Sequence, residues 1–434
     1  MRKNTSPISK SSMIALAALP LAMGTVSASH AADIFNPPVF ASSNGLLDLL
    51  MVAQPGPVNF APGFAPTGWY YTICQRPKTG NSCPNGSGTV SNYGGFRLAL
   101  QPGDELKIRL VNNLPVLAPS TVQRIHDDPL LALNPTDLHT HGLIVPASPN
   151  TTVPPALPKY GDFVLTAIFN YNGGDPTKNP AEYDRAAYDH LSLHYDVVYN
   201  SLSAADYDIK IPSYHPAGAY WIHPHMHGIS VDQISAGMSG IISIGNIAAY
   251  LCYDESCDHP VPESSVRHLI LKDMQVLASG DPQFEQNASF CMGSPPGNGV
   301  CAGNPQAYPG GRWFFTLNGQ KYPTIPVAAP TKGEAEVWRL TNASSNATYD
   351  LQLIDNATLK PIAFQLIAVD GVAVRFPADS SAGQIQAALA GRFRIANCGK
   401  TTTDYALKPI CVSEIVMMGG SRVEVAISYR DASG

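Results

Sequence analysis

Phe96-Arg97-Leu98-Ala99-Leu100, a turn at Pro102-Gly103-Asp104, then Leu106-Lys107-Ile108-Arg109-Leu110: apolar residues recur at every second position on both sides of the turn. Successive side chains of a strand point to opposite faces, so a period of two is the signature of strands with one face buried. The same alternation returns at Tyr207-Asp208-Ile209-Lys210-Ile211, where Pro212 stops it, and at Glu336-Val337-Trp338-Arg339-Leu340. It returns again at Val423-Glu424-Val425-Ala426-Ile427. Asp370-Gly371 sits between Ile367-Ala368-Val369 and Val372-Ala373-Val374, which predicts a two-residue hairpin turn. No amphipathic pattern is long enough for a major helix. The fold class is therefore all-β, built from sandwich or barrel modules.

Composition supports that class. The chain has 434 residues, 44% of them hydrophobic and only 14% charged. Gly (36) and Pro (38) supply about one residue in six, which suits many short strands joined by turns. The net charge is −6, with no long run of either sign. That argues against a nucleic-acid footprint and against a polybasic membrane patch.

The first 31 residues read as an address. Arg2, Lys3 and Lys10 precede an apolar stretch from Met13 to Val26, and Ser27-Ala28-Ser29-His30-Ala31 supplies the small residues of a cleavage site. The apolar stretch is short for a membrane span and is broken by Pro20 and Gly24. No later window reaches 18 apolar residues. The expectation is an exported protein, periplasmic or secreted, without a membrane span. Eight cysteines agree with an oxidising compartment, and they fall into near neighbours: Cys74/Cys83, Cys252/Cys257, Cys291/Cys301 and Cys398/Cys411. The simplest pairing is local, with Cys291–Cys301 the first choice; no C-x-x-C spacing speaks for zinc.

A polar, Pro-containing stretch at 252–262 follows Gly240-Ile241-Ile242-Ser243-Ile244. It places one β domain at 33–250 and a second at 255–434. Residues 160–202 read as an insertion that interrupts the strand rhythm, and 291–311 as a second long loop.

Histidine carries the functional information. Residues 269–434 contain none, whereas the first domain holds Leu138-His139-Thr140-His141-Gly142 and Trp221-Ile222-His223-Pro224-His225-Met226-His227-Gly228. In a strand, each H-x-H turns two imidazoles to one face. Four buried imidazoles without partners would cost on the order of several kcal/mol in lost hydration, so a metal accounts for two such pairs better than backbone carbonyls do. Imidazole suits copper, zinc, iron and nickel. His215 sits in a turn, and His190 and His194 lie in strand-like sequence; none of the three is read as a ligand.

The two motifs, with 81 residues between His141 and His223, resemble the first and second copper motifs of the multicopper oxidases, the relatives of laccase, ascorbate oxidase and cuprous oxidase. Ala217-Gly218-Ala219-Tyr220, Ala236-Gly237-Met238-Ser239-Gly240, Asn112-Asn113-Leu114, Leu317-Asn318-Gly319 and Val337-Trp338-Arg339-Leu340-Thr341-Asn342 are similar to that family as well. The resemblance implies two consecutive cupredoxin-like (plastocyanin-like) Greek-key β-barrel domains. It implies a copper cluster that reduces dioxygen to water with electrons from a reducing substrate. By position, His139 would bind the type 2 copper, and His141, His223 and His225 the type 3 pair. Asp162, downstream of the first motif, would be an acid near the cluster.

The departures matter equally. The family's two C-terminal histidine motifs, which complete the cluster and form the type 1 copper site, are not in these 434 residues, and no cysteine has a histidine neighbour. Only half of the type 2 and type 3 ligands are present. The expectation is the N-terminal two domains of an exported oxidase, inactive alone and completed by a C-terminal domain or a partner chain. The alternatives are a short copper-binding cupredoxin protein and a redox-inactive scaffold.

Overall fold

The computed structural model describes residues 33–59, 65–116 (without 85), 134–170 (without 150–151 and 153–155), 198–251 (without 201–202), 261–276, 312–325 (without 322), 336–397 (without 346, 378 and 390) and 410–427. The signal-like residues 1–32, His190, His194 and the pairs Cys252/Cys257 and Cys291/Cys301 lie outside them. Strands dominate, and the all-β expectation holds. No helix among the described residues is long and apolar enough to cross a membrane.

The first part of the chain forms two facing sheets. One has five strands in the order Val39–Ala41, Arg97–Leu100, Gly240–Ile244, Gly218–His223, His139–His141. The other has six, centred on Leu46–Pro57 and Glu105–Asn112, with Thr67–Gln75 and Ala204–Lys210 outside them. The alternation read from the sequence decides which residues lie between the sheets. Leu98 and Leu100, Ile222, Ile242 and Ile244 come from one sheet; Leu106, Ile108 and Leu110 come from the other. Trp69, Tyr71 and Phe96 complete this core.

The second part forms a nine-stranded sheet. Its path runs Arg312–Leu317, Val266–Val276, Glu336–Asn342, Arg422–Ile427, Phe364–Val369, Ile410–Met417, Tyr349–Leu351, and off this path Val372–Ala373 pairs with Phe364–Val369 and Phe393–Ala396 with Ile410–Met417. Its core holds Leu269, Leu366, Val412, Ile415, Val423 and Val425, covered by the helix Ala382–Leu389 through Ile385 and Leu389. The Asp370-Gly371 hairpin forms as predicted, pairing Val369 with Val372 and Ala368 with Ala373. Both turn residues have positive φ, 52° and 84°, which an Asp-Gly pair accommodates.

Three sequence expectations change. Residues 160–202 are not wholly an insertion: Lys159–Tyr160 pairs with Asp206 and Tyr207, and Thr166–Ile168 pairs with Val198–Asn200. Strands this short leave no periodic signal among turn-forming residues. Arg339 occupies the polar phase of its strand yet is fully buried, because residues from the first barrel and the connection cover that face. Finally, the outer face of the five-stranded sheet is not solvent-facing. Trp221 and Ile241 pack there against Ile270 and Ala343 of the second part.

Cys74 and Cys83 form a disulfide, as the local-pairing rule expected. Cys411 is also disulfide-bonded.

Candidate metal centre

The strands His139–His141 and Gly218–His223 are antiparallel neighbours, with His139 opposite His223 and His141 opposite Trp221. Directly opposed residues share a face, so His139, His141, Trp221 and His223 project together, away from the barrel core. Potential ligand atoms of His139, His141 and His223 all lie within 4.8 Å of one another. His141 Nδ1 and His223 Nε2 are 3.2 Å apart. His225 lies beyond the strand end and outside that trio, but its ring is 5.1 Å from that of His139 and 6.0 Å from that of His223, centre to centre. The four predicted histidines therefore gather in one place, three of them as a compact donor set.

The His139 and His223 rings are held by hydrogen-bond partners. The Asp162 carboxylate lies 3.2 Å from His139 Nδ1 and also accepts the Thr140 backbone N–H at 2.7 Å. Asp162 thus sits at the centre, as its sequence position suggested, and its contact is with the first histidine. His223 Nδ1 donates to the Pro224 carbonyl at 2.8 Å, which leaves Nε2 as its lone-pair edge. The indole of Trp221 stacks on His223 with centroids 3.9 Å apart and planes 24° from parallel. His225 is anchored through its backbone N–H, which donates to Asp137 Oδ1 at 2.5 Å.

Burial favours the neutral form of His141, His223 and His225. It drives His141 down to about 4, with the Arg422 guanidinium and His139 adding to the effect. It drives His223 well below its ordinary value, reinforced by His139, and lowers His225 in the same way. Neutral imidazole is the form that binds a metal. The Nδ1 of His225 is buried with no hydrogen-bond partner among the described residues. Ring nitrogens presented as lone pairs, beside a carboxylate that orients one of them, fit a copper ion.

The second part of the chain walls the centre, which the sequence did not reveal. A Cβ on Gly420 would stand 3.3 Å from His141 Cε1, and one on Gly142 would stand 2.5 Å from Arg422 Nη2. Glycine after the first H-x-H is thus a matter of close approach as well as of its φ of 87°. Arg422 is fixed by the carbonyls of Ala219, Gly420 and Asp370. Nothing local marks Arg422 or Gly420 as neighbours of the centre, because Ala219, Gly142 and His141, which they meet there, lie some 200 to 280 positions earlier.

The histidines left aside behave differently. His215 is buried and satisfied: Nε2 accepts the Ile144 N–H at 2.9 Å and Nδ1 donates to the Pro216 carbonyl at 3.0 Å. His227 is exposed, with its ring 5.7 Å from that of His225.

No protein-family model matches the sequence, and no curated protein matches it. Solved structures do. The McoA multicopper oxidase of the hyperthermophile Aquifex aeolicus aligns with 93% of this chain at 16% identity and a TM-score of 0.51. A multi-copper oxidase of Pediococcus acidilactici covers 93% at 14% identity and 0.50, and a laccase of the same species 92% at 13% and 0.50. The chain spans 58%, 56% and 57% of these proteins, respectively. It has the cupredoxin-like fold of these multicopper oxidases over most of its length.

Proposed function

We propose that this chain is the copper-holding N-terminal part of an exported multicopper oxidase, which couples one-electron oxidation of a reducing substrate to the four-electron reduction of dioxygen to water. The observation that carries the proposal is the gathering of His139, His141 and His223 on one outward sheet face with the His225 ring beside them, in a chain with the multicopper oxidase fold. His139 serves the type 2 copper; His141, His223 and His225 serve the type 3 pair. The chain divides into two cupredoxin-like domains, 33–250 and 255–434.

Copper supplies the redox couple and the Lewis acidity that dioxygen reduction needs. The chain supplies position. Asp162 holds the His139 ring through Nδ1 and leaves Nε2 for the ion. Trp221 fixes the plane of His223 and keeps water from one side of it. Arg422 and burial hold His141 unprotonated near neutral pH. Four imidazoles are too few for three coppers, so a C-terminal domain or a partner chain contributes the remaining ligands and the type 1 site. The signal-like N-terminus and the Cys74–Cys83 disulfide support export.

Copper titration of residues 33–434, followed by spin resonance and optical absorption, tests this reading. The expected result is copper uptake without intense blue colour and without phenol oxidation, since blue colour needs a copper–thiolate bond in a His2Cys site. A blue, active preparation of this chain alone refutes it. One observation favours a second reading, a short copper-binding protein: His139, His141 and His223 converge without His225. A tight one-to-one stoichiometry that survives His225→Ala favours that alternative.

A further inference from the structure

His215 stands near the histidine centre without belonging to its donor set. Both of its ring nitrogens are committed. A backbone N–H can only donate and a carbonyl can only accept. The Ile144 N–H at 2.9 Å therefore needs a lone pair on Nε2, and the Pro216 carbonyl at 3.0 Å needs a proton on Nδ1. The two bonds agree on one neutral tautomer and leave no nitrogen free for a metal. An imidazole so placed acts on the chain around it.

What it holds is the turn after the first H-x-H. His139–His141 is a strand of three residues at the end of its sheet. Its ladder with Gly218–His223 stops at His141, opposite Trp221. Continued, that register would set Ile144 against Gly218. The chain turns instead: Gly142 takes a φ of 87°, and the Leu143 N–H donates back to the Thr140 carbonyl at 3.2 Å. The imidazole then takes the Ile144 N–H in place of a strand partner. His215 is itself fixed just before the strand that carries His223. Pro212 and Pro216 bracket it, and its own N–H donates to the Pro212 carbonyl at 2.9 Å. Its ring meets that of Tyr220 edge-on, with centroids 5.0 Å apart. One side chain thus joins the exit of one motif to the entry of the other.

We propose that His215 is a positioning residue of the copper centre: by clasping Ile144 it holds the strand of His139 and His141 in register with the strand of His223. This rests on the copper role proposed for the histidines. A three-residue strand has few hydrogen bonds of its own, so a bond lost at its end is felt along its length. Without the clasp the Ile144 N–H has no partner inside the fold, and the turn must open to reach water. His141 sits at the base of that turn, with its Nδ1 3.2 Å from His223 Nε2, so the donor set loosens with it.

Two variants of the full chain separate the hydrogen bond from the packing. His215→Phe keeps a ring against Tyr220 and removes both nitrogens. His215→Gln keeps an acceptor that can stand where Nε2 stands. Hydrogen exchange of the copper-free protein, read by mass spectrometry on the peptide containing Ile144, follows the clasp itself; competition with a chelator reads copper affinity. In His215→Phe the Ile144 amide should exchange at least roughly tenfold faster, and copper affinity should fall roughly tenfold. His215→Gln should restore both. Circular dichroism checks folding, and His215→Ala, judged by the same readings, replaces His215→Phe if that variant does not fold. Wild-type exchange or wild-type copper affinity in the folded variant overturns the proposal, as does a His215→Gln that behaves like His215→Phe. If the wild type takes up no copper, the copper reading fails and the proposal with it. If the wild type binds copper and His215→Phe matches it, the proposal alone fails.

Discussion

His139 and His223 are directly opposed residues of two adjacent antiparallel strands, and their rings stand 5.3 Å apart, centre to centre. That register turns two sequence motifs into one site. Sliding either strand by one residue would send one of the pairs into the barrel core.

Replacing His139 and His223 together by Ala should abolish copper uptake, since each H-x-H pair loses half of its donors. Equilibrium dialysis against copper, with circular dichroism as the folding control, measures it. Retained stoichiometric binding in a folded double variant would place the copper elsewhere.

Asp162→Ala should weaken copper binding by roughly 10–100-fold, the usual loss when a partner that orients a metal-binding histidine is removed. The carboxylate holds His139 Nδ1 and the Thr140 N–H at once, so the variant frees both ring and strand. Competitive titration with a chelator reads the affinity. Wild-type affinity would show that the contact is incidental.

Lys272 predicts a dependence of stability on pH. The side chain is fully buried, donates to the Gly237 carbonyl at 3.0 Å, and burial pushes its ammonium from an ordinary 10.5 down to about 7. Between those values the unfolded chain binds a proton that the folded chain releases, so this group makes the fold more stable as pH rises from about 7 to about 10.5. Its contribution over that window is on the order of 5 kcal/mol. In Lys272→Met that rise should vanish, and at pH 7 the variant should be at least as stable as the wild type. Urea unfolding at several pH values checks both statements.

Arg339 and Glu424 form a fully buried ion pair at 3.1 Å, joined by Glu263 and by Tyr250. Glu424 also accepts the Ala219 N–H, which ties the second part of the chain to the strand that carries His223. Removing one partner leaves the other charge buried and unpaired, so Arg339→Met should cost about 3–5 kcal/mol in urea unfolding. Adding Glu424→Gln should recover part of that loss. A loss under about 0.5 kcal/mol for Arg339→Met would show that the network carries no net stability.

The sequence by itself determined the local layers of this protein. The period of two at Leu98, Leu100, Leu106, Ile108 and Leu110 specified both the strands and their inward faces, because one-sided burial is the cheapest solution for that pattern. Asp370-Gly371 specified its hairpin, because only positive-φ residues close a turn that tight. The H-x-H at His139 and His141 specified two imidazoles on one strand face, since alternate residues of a strand point the same way.

Tertiary structure alone decided what meets those faces. The alternation at Glu336–Leu340 sets Arg339 outward from its strand, but whether outward means water depends on Tyr250, Glu263 and Glu424, which no pattern within the strand announces. Arg422 and Gly420 reach the surroundings of His141 across some 280 residues, and the sequence placed Asp162 near the histidines without showing that it meets His139. The physical reason is the range of the interactions. Propensity and periodicity act over a few residues, whereas burial, ion pairing and close approach belong to neighbours that only the folded chain supplies.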